Sequence, residues 1–340
     1  MAADLMLVTG ATGMVGSFVA RRAVHEEYRV RAFVRAKSDR RMLDGVDVEY
    51  YEGDLGDYDS FPDAVKDVDI VVHAGAYIGD WGPAEKYRAI NVVGLEHLLT
   101  AVEKEGRLKR WIQVSSLSVY PARHHYGTDE TVPPDLIGLN GYTKTKAEAE
   151  VVLKRHIEEY DFPAVIVRPG HTYGPGERYV IPRLLKRFDS GTVKFIGDGQ
   201  KHLNNVYVGN LVDAIFLAID SDEALGETFN ICDERLVTRE EYLMTVADYL
   251  GKPRPGRIPV WLARLACPFI EGWAKLRGAK ESPLLTAATI KFMAINMDFS
   301  IDKAKKVLGY QPKVDFKQGI IEALDWATGK NTQLGSSTSP

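Results

Sequence analysis

Apolar residues in the first half of the chain arrive as short continuous runs, each followed by a longer stretch in which apolar positions recur every three or four residues. The runs Leu5–Thr9, Arg29–Val34, Ile70–His73, 111–115 and 164–168 read as strands buried on both faces, and helical patterns fill the intervals. Such alternation predicts right-handed crossovers and an α/β fold, a parallel sheet with helices on both faces and ligands beyond the carboxyl ends of its strands. Around Gly174-Pro175-Gly176 the segments shorten, proline becomes more frequent and turns such as Gly197-Asp198-Gly199 interrupt, so a second, smaller lobe is expected there. Residues 205–208 and Thr228–Ile231 again read as strands, which predicts that the chain revisits the first domain between pieces of the second. The expected division is 1–173 plus about 203–234 for the sheet domain, about 174–202 plus 235–328 for a discontinuous capping lobe, and 329–340 for a disordered tail.

Composition leaves this picture standing and removes some functions. A chain of 340 residues with 45% hydrophobic and 26% charged side chains is an ordinary globular protein, long enough for more than one core. Its 43 basic and 47 acidic residues give a formal charge of -4, which supplies no drive toward nucleic acid. Cys232 and Cys267 lack the spacing of a metal site or a disulfide framework, so no metal and a reducing cytoplasm are expected. The first apolar run enters a glycine motif directly, with no room for an export signal. The later apolar stretch 258–276 is broken by Arg264, Pro268, Glu271 and Lys275, which argues against a spanning helix. Its Trp261, Leu262, Leu265, Phe269, Trp273 and Leu276 recur at helical intervals and fit three roles: lining a pocket, packing a lobe, or touching a membrane surface, although Glu271 and Glu281 dilute the basic face needed for the last.

The glycines supply the first chemistry. Gly10, Gly13 and Gly16 follow a strand and open a helix in Gly10-Ala11-Thr12-Gly13-Met14-Val15-Gly16. Gly10 suits a tight turn, Gly13 lets backbone approach a pyrophosphate, Gly16 allows close helix packing, and the helix N-terminus offers N–H groups to phosphate. This makes the sheet Rossmann-like and doubly wound. The acidic residue that would grip a ribose 2′-hydroxyl at the end of the second strand is replaced by Arg35, with Lys37, Arg40 and Arg41 behind it. That cluster favours the 2′-phosphate of NADP(H) over NAD(H); the same residues also suit a solvated basic loop. Asp54, before Leu55, is placed to accept from an adenine amino group or to close a turn.

A second constellation lies farther on. Tyr142 and Lys146, four apart in a helix-favouring segment, project from one face. A phenol near pKa ~10 is too weak an acid for catalysis at neutrality, and a nearby ammonium stabilises its phenolate. Alone, this pair is common on surface helices. Its company is not: Ser115-Ser116-Leu117-Ser118-Val119-Tyr120 ends a strand 26 residues earlier, where a hydroxyl meets a substrate oxygen.

Together with His73-Ala74-Gly75-Ala76, Asn91-Val92-Val93-Gly94 and Arg168-Pro169-Gly170-His171-Thr172-Tyr173-Gly174, these motifs resemble the extended short-chain dehydrogenases/reductases of the NAD-dependent epimerase/dehydratase superfamily, up to about Trp326. The resemblance implies that Ser116 orients the carbonyl, Tyr142 gives or takes the proton and Lys146 anchors ribose and tunes the phenol. It makes Asn91 a supporting polar residue and sets Pro169 and Gly170 beside the nicotinamide. Ala74, Gly75, Ala76 and Leu55 join the cofactor site, Ser118, Tyr173 and Leu203 the substrate side, and a homodimer is the implied assembly.

Nucleotide-sugar members of that family carry an arginine in a segment like Gly-Asp-Gly-x-x-x-Arg; here Leu203 stands in its place, in Gly197-Asp198-Gly199-Gln200-Lys201-His202-Leu203. Leucine neutralises no diphosphate, so the substrate is expected to be a fairly apolar carbonyl or alcohol, as in the dihydroflavonol-4-reductase-like and 3β-hydroxysteroid-dehydrogenase-like branches. The segment Ser282-Pro283-Leu284-Leu285-Thr286 resembles the same branches. A nucleotide-sugar epimerase with tightly held NAD(P), and a catalytically silent dinucleotide sensor or scaffold, are the competing readings.

Overall fold

The computed structural model describes residues 3–79, 81–277 and 286–331. Segment 282–285 and the tail from 332 lie outside them, so the expectations placed there are not addressed.

Seven parallel strands form the central sheet: β1 (Leu5–Thr9), β2 (Arg29–Val34), β3 (Glu49–Glu52), β4 (Ile70–His73), β5 (Arg110–Val114), β6 (Ala164–Pro169) and β7 (Thr228–Ile231). Their spatial order is β7-β6-β5-β4-β1-β2-β3. Leu7 sits between Arg31 of β2 and Val71 of β4, so the order reverses about β1. That switch point opens a crevice at the carboxyl ends of β1 and β4.

Alternation along each strand feeds two cores. In β1, Met6 and Val8 join a cluster that includes Phe18 and Val19 of α1 (Met14–His25), together with Leu211 and Ile215. Leu5 and Leu7 face the other way, toward Leu95, Leu98 and Leu99 of α2 (Gly94–Glu105) and Ala149 and Leu153 of α3 (Gly141–Tyr160). Burial on both faces is why these strands read as unbroken apolar runs, each large side chain contributing roughly 1.5–3 kcal/mol.

Two expectations need correction. Thr228–Ile231 returns to the main sheet beside β6, whereas Asn205–Tyr207 pairs with His171–Tyr173 in a separate two-stranded ladder. The helix Val260–Leu276 buries Ala263 and Cys267 but leaves Trp261 64%, Leu265 61%, Phe269 80%, Trp273 58% and Leu276 82% exposed, so these large residues do not pack the lobe's interior. No helix among the described residues is long and apolar enough to cross a membrane.

Candidate active site

The glycine loop is built by backbone contact. Gly10 takes φ +67°, and a Cβ there would sit 2.8 Å from Cα and N of Gly75, so the loops leaving β1 and β4 touch main chain to main chain. A Cβ on Gly16 would lie 2.3 Å from the Gly10 carbonyl oxygen, which fixes how closely α1 approaches. Gly13 caps α1 without any side-chain hydrogen bond, is exposed, and would bring an added Cβ near only the Gly10 oxygen. The first N–H groups of α1, beginning at half-buried Met14 and Val15, therefore have neither an intrahelical nor a side-chain acceptor. With half-buried Thr12 this open, donor-rich cradle fits a dinucleotide pyrophosphate.

Around it, Arg35 is exposed just past β2, and no ion pair joins it among the described residues. Arg40 is engaged, 2.5 Å from Glu52 and over the Tyr50 ring. Asp54 closes its own turn by accepting from the Gly56 N–H at 2.8 Å. Leu55 packs toward Gly75, whose N–H donates to Thr9 Oγ1 at 3.0 Å; Ala74 and Ala76 flank it half-buried.

A capping box starts α3: Asn140 Oδ1 accepts from the Thr143 N–H at 3.0 Å, and Thr143 Oγ1 accepts from the Asn140 N–H at 3.2 Å. With the start fixed, Tyr142, Lys146 and Glu150 follow at four-residue intervals along one face. Ser116 caps the short turn Leu117–Val119 beyond β5, its Oγ accepting from the Ser118 N–H at 3.1 Å. The same hydroxyl meets the Tyr142 phenol, which burial pushes up to about 12 while Ser116 opposes the rise. Lys146 donates to the Val114 carbonyl at 2.7 Å, and burial brings its ammonium down to about 8 against the pull of Glu150. Lys146 reaches the same strand end but is turned to a carbonyl, so the anticipated lowering of the phenol is not expressed in this arrangement.

Beneath this group lies a buried ionic network unmarked by the sequence reading. Arg168, wholly buried at the end of β6, forks onto Glu150 at 2.6 and 2.9 Å; Glu150 also accepts from Ser115 Oγ at 2.5 Å, and Arg168 reaches Tyr120 Oη at 2.7 Å. His73 sits beside Lys146, hydrogen-bonded to Thr9 Oγ1 at 2.9 Å, and burial with the nearby ammonium brings it down to about 3. The available signal was charge out of place: Arg168 closes an apolar run, and Glu150 continues the Tyr142–Lys146 stripe.

Asn91 lies in a widened helical turn, Ala89–Val93. Its Oδ1 accepts from the Tyr77 N–H at 2.7 Å, and its Nδ2 donates to the Tyr77 carbonyl and Thr145 Oγ1, both at 3.0 Å. Those bonds tie the loop after β4 to α3. Pro169 ends β6 and Gly170 follows it, where an added Cβ would lie 2.1 Å from the Asn204 carbonyl oxygen. Ser118 Oγ is buried without a partner, as suits a group facing ligand. Tyr173 and Leu203 are corrections: Tyr173 is fully buried with its hydroxyl on Asp233 at 2.9 Å, and Leu203 belongs to the main core. Among the described residues no cluster of three or more metal-binding side chains occurs.

The profile of the NAD dependent epimerase/dehydratase family matches residues 6–232. The sterol-4-alpha-carboxylate 3-dehydrogenase, decarboxylating, of Candida albicans is 28% identical, covering 94% of this chain and 97% of that protein. The 2-alkyl-3-oxoalkanoate reductase of Stenotrophomonas maltophilia is 29% identical over 93% and 97%. The crystal structure of gox2253 superimposes with a TM-score of 0.81 at 30% identity, covering 96% and 98%. A UDP-glucuronic acid 4-epimerase from Bacillus cereus, at 21% identity and a TM-score of 0.76, shares the fold. With the glycine cradle at the switch point and the serine and tyrosine in contact beside it, the matched span, two thirds of the chain, places this protein in the NAD-dependent epimerase/dehydratase family, among the extended short-chain dehydrogenases/reductases.

Proposed function

We propose that the protein is an NADP-linked oxidoreductase that interconverts a ketone and a secondary alcohol on a fairly apolar small molecule. The observation that carries this reading is the convergence at the end of β5, where Ser116 caps the turn beyond the strand and Lys146, one helical turn after Tyr142 on α3, donates to the Val114 carbonyl. The bound nicotinamide supplies or accepts the hydride. Ser116 holds the substrate oxygen, Tyr142 gives it a proton in reduction and takes it back in oxidation, and Lys146 supplies the positive charge that eases the phenol's proton transfer. Asn91 keeps the loop after β4 against α3. The lack of a bound partner on Arg35 supports a 2′-phosphate, and Leu203 in the core leaves no cation there for a nucleotide diphosphate. Residues 1–173 with β7 hold the cofactor, and the later lobe covers the substrate.

The similar proteins, a sterol 3-dehydrogenase and a 2-alkyl-3-oxoalkanoate reductase, agree with oxidation or reduction at a carbon bearing oxygen. The test is net consumption of NADPH or NADH across a panel of ketones. Stoichiometric consumption with matching alcohol supports the proposal; conversion without net consumption supports an epimerase, and cofactor binding without conversion supports a sensor.

Of the three roles for the 260–276 helix, exposure favours membrane contact. Trp261, Leu265, Phe269 and Trp273 stand outward with exposed Arg264 and Arg277, a pairing suited to an anionic bilayer surface. Sedimentation with phosphatidylglycerol vesicles, lost in Phe269→Glu/Trp273→Glu, is the expected result; equal sedimentation of both proteins contradicts it.

A further inference from the structure

Among the described residues, Arg239 is a buried cation with no carboxylate beside it. It is 5% exposed, and its acceptors are the carbonyls of Phe292 at 2.7 Å and Ile295 at 3.3 Å, with the Met293 sulfur at 3.7 Å. Its Nε has no partner. The neighbouring acids are committed elsewhere: Glu240 to Arg254 and Arg257, Glu241 to Arg235 at 2.8 Å, and Glu177 to the N–H groups of Tyr179, Val180 and Ile181. Burial brings the guanidinium down to about 10, and no acid pushes back. Charged groups this deep are ordinarily paired, because taking an ion out of water is costly unless an opposite charge offsets it.

Other unsatisfied groups gather there. Asn205 is 2% exposed with neither side-chain atom bonded, and the buried Tyr242 hydroxyl is also unpartnered. Half-buried His171 links them: it is opposite Asn205 in the small ladder, its ring is 6.1 Å from that of Tyr242, and it feels the charge of Arg239. His171 directly follows Pro169-Gly170, so the cluster adjoins the place proposed for the nicotinamide. Among the described residues, unsatisfied polar atoms of Arg239, Asn205 and Tyr242 thus gather about one half-buried histidine, a grouping of donors suited to a single compact anion. One guanidinium, with apolar Leu203 paired to Val237 two residues before it, matches one carboxylate better than a diphosphate.

We propose that Arg239, with Asn205 and Tyr242, binds a carboxylate on the substrate, so that the ligand is an amphiphile: apolar, with one anionic end. This rests on the oxidoreductase reading for the word substrate, but the site is testable without turnover. The protein with saturating NADP+ is titrated calorimetrically with 3-hydroxydecanoate, with its methyl ester and with inorganic phosphate. The expected result is that the acid binds at least tenfold more tightly than the ester or phosphate. Arg239→Gln should erase that preference, Arg239→Lys should retain part of it, and Tyr142→Phe should keep it. Melting curves check that each variant is folded, and Tyr242→Phe, which removes one donor without removing charge, should weaken the acid severalfold if Arg239→Gln does not fold. Equal binding of acid and ester, preference for phosphate, absence of acid binding, or a preference that survives Arg239→Gln overturns the proposal. Loss of ketone reduction in the wild type with the acid preference intact would instead count against the oxidoreductase reading alone.

Discussion

Glu150→Gln tests the buried charge balance under the site. Wild-type Glu150 accepts from Ser115 Oγ at 2.5 Å and from Arg168 at 2.6 and 2.9 Å, and neither member of the ion pair is exposed. Glutamine removes the charge and turns an NH2 group toward a donor-rich guanidinium. Breaking one partner of a buried pair costs about 3–5 kcal/mol, which in a chain of 340 residues lowers Tm by about 4–7 °C. A second consequence follows at Lys146, which burial holds at about 8 while Glu150 raises it. The ordinary lysine value lies higher, so the native protein binds fewer protons from about pH 8 upward, and stability from this group rises with pH through that window. Without Glu150 the ammonium is lost at still lower pH, and any alkaline fall in kcat/KM should move below about 8. Thermal melts and pH-rate profiles of Glu150→Gln, compared with Glu150→Leu/Arg168→Met, measure both effects. The double variant should recover stability relative to the single one, because no charge is left unpaired. A single variant within about 1 kcal/mol of wild type, with an unmoved alkaline limb, would refute the reasoning.

Three further outcomes follow from individual contacts. Gly16→Ala drives a Cβ to 2.3 Å from the Gly10 oxygen, so α1 must retreat, and fluorescence titration should show dinucleotide affinity reduced at least about tenfold. Arg35→Asp should weaken NADPH by about 1–3 kcal/mol in equilibrium titration while leaving NADH within a fewfold, since only the 2′-phosphate needs that cation. Burial raises Asp233 to about 6, so its native form holds a proton that the unfolded chain has released; stability from this group falls as pH rises from about 4 to 6, and Asp233→Asn should flatten that slope in chemical-denaturation series.

The sheet was legible because its strands are buried on both faces, which writes each as a continuous apolar run; Leu5–Thr9 and Arg29–Val34 appear in the structure with the boundaries read from sequence. The glycine loop and the Tyr142–Lys146 stripe were legible because short-range spacing encodes them, whereas the approach of Ser116, 26 residues earlier, is set by tertiary packing. Less visible were features set by distant partners. Residues 205–207 have a strand's composition, but only tertiary packing decides that they pair with His171–Tyr173 and not with the main sheet. Tyr173 looked like a substrate residue from its motif, yet Asp233, 60 positions away, claims its hydroxyl. The Glu150–Arg168 pair and the unpaired Arg239 are likewise matters of burial, which charge patterning along a chain does not report.

The most direct test of the central claim is a single-turnover comparison of wild type and Tyr142→Phe, loaded with NADPH and mixed with a ketone that the wild type reduces. The account predicts that the variant binds NADPH as tightly as wild type, because the phenol's contact is with Ser116, and that its nicotinamide absorbance fails to decay. Decay at an undiminished rate in Tyr142→Phe would contradict it.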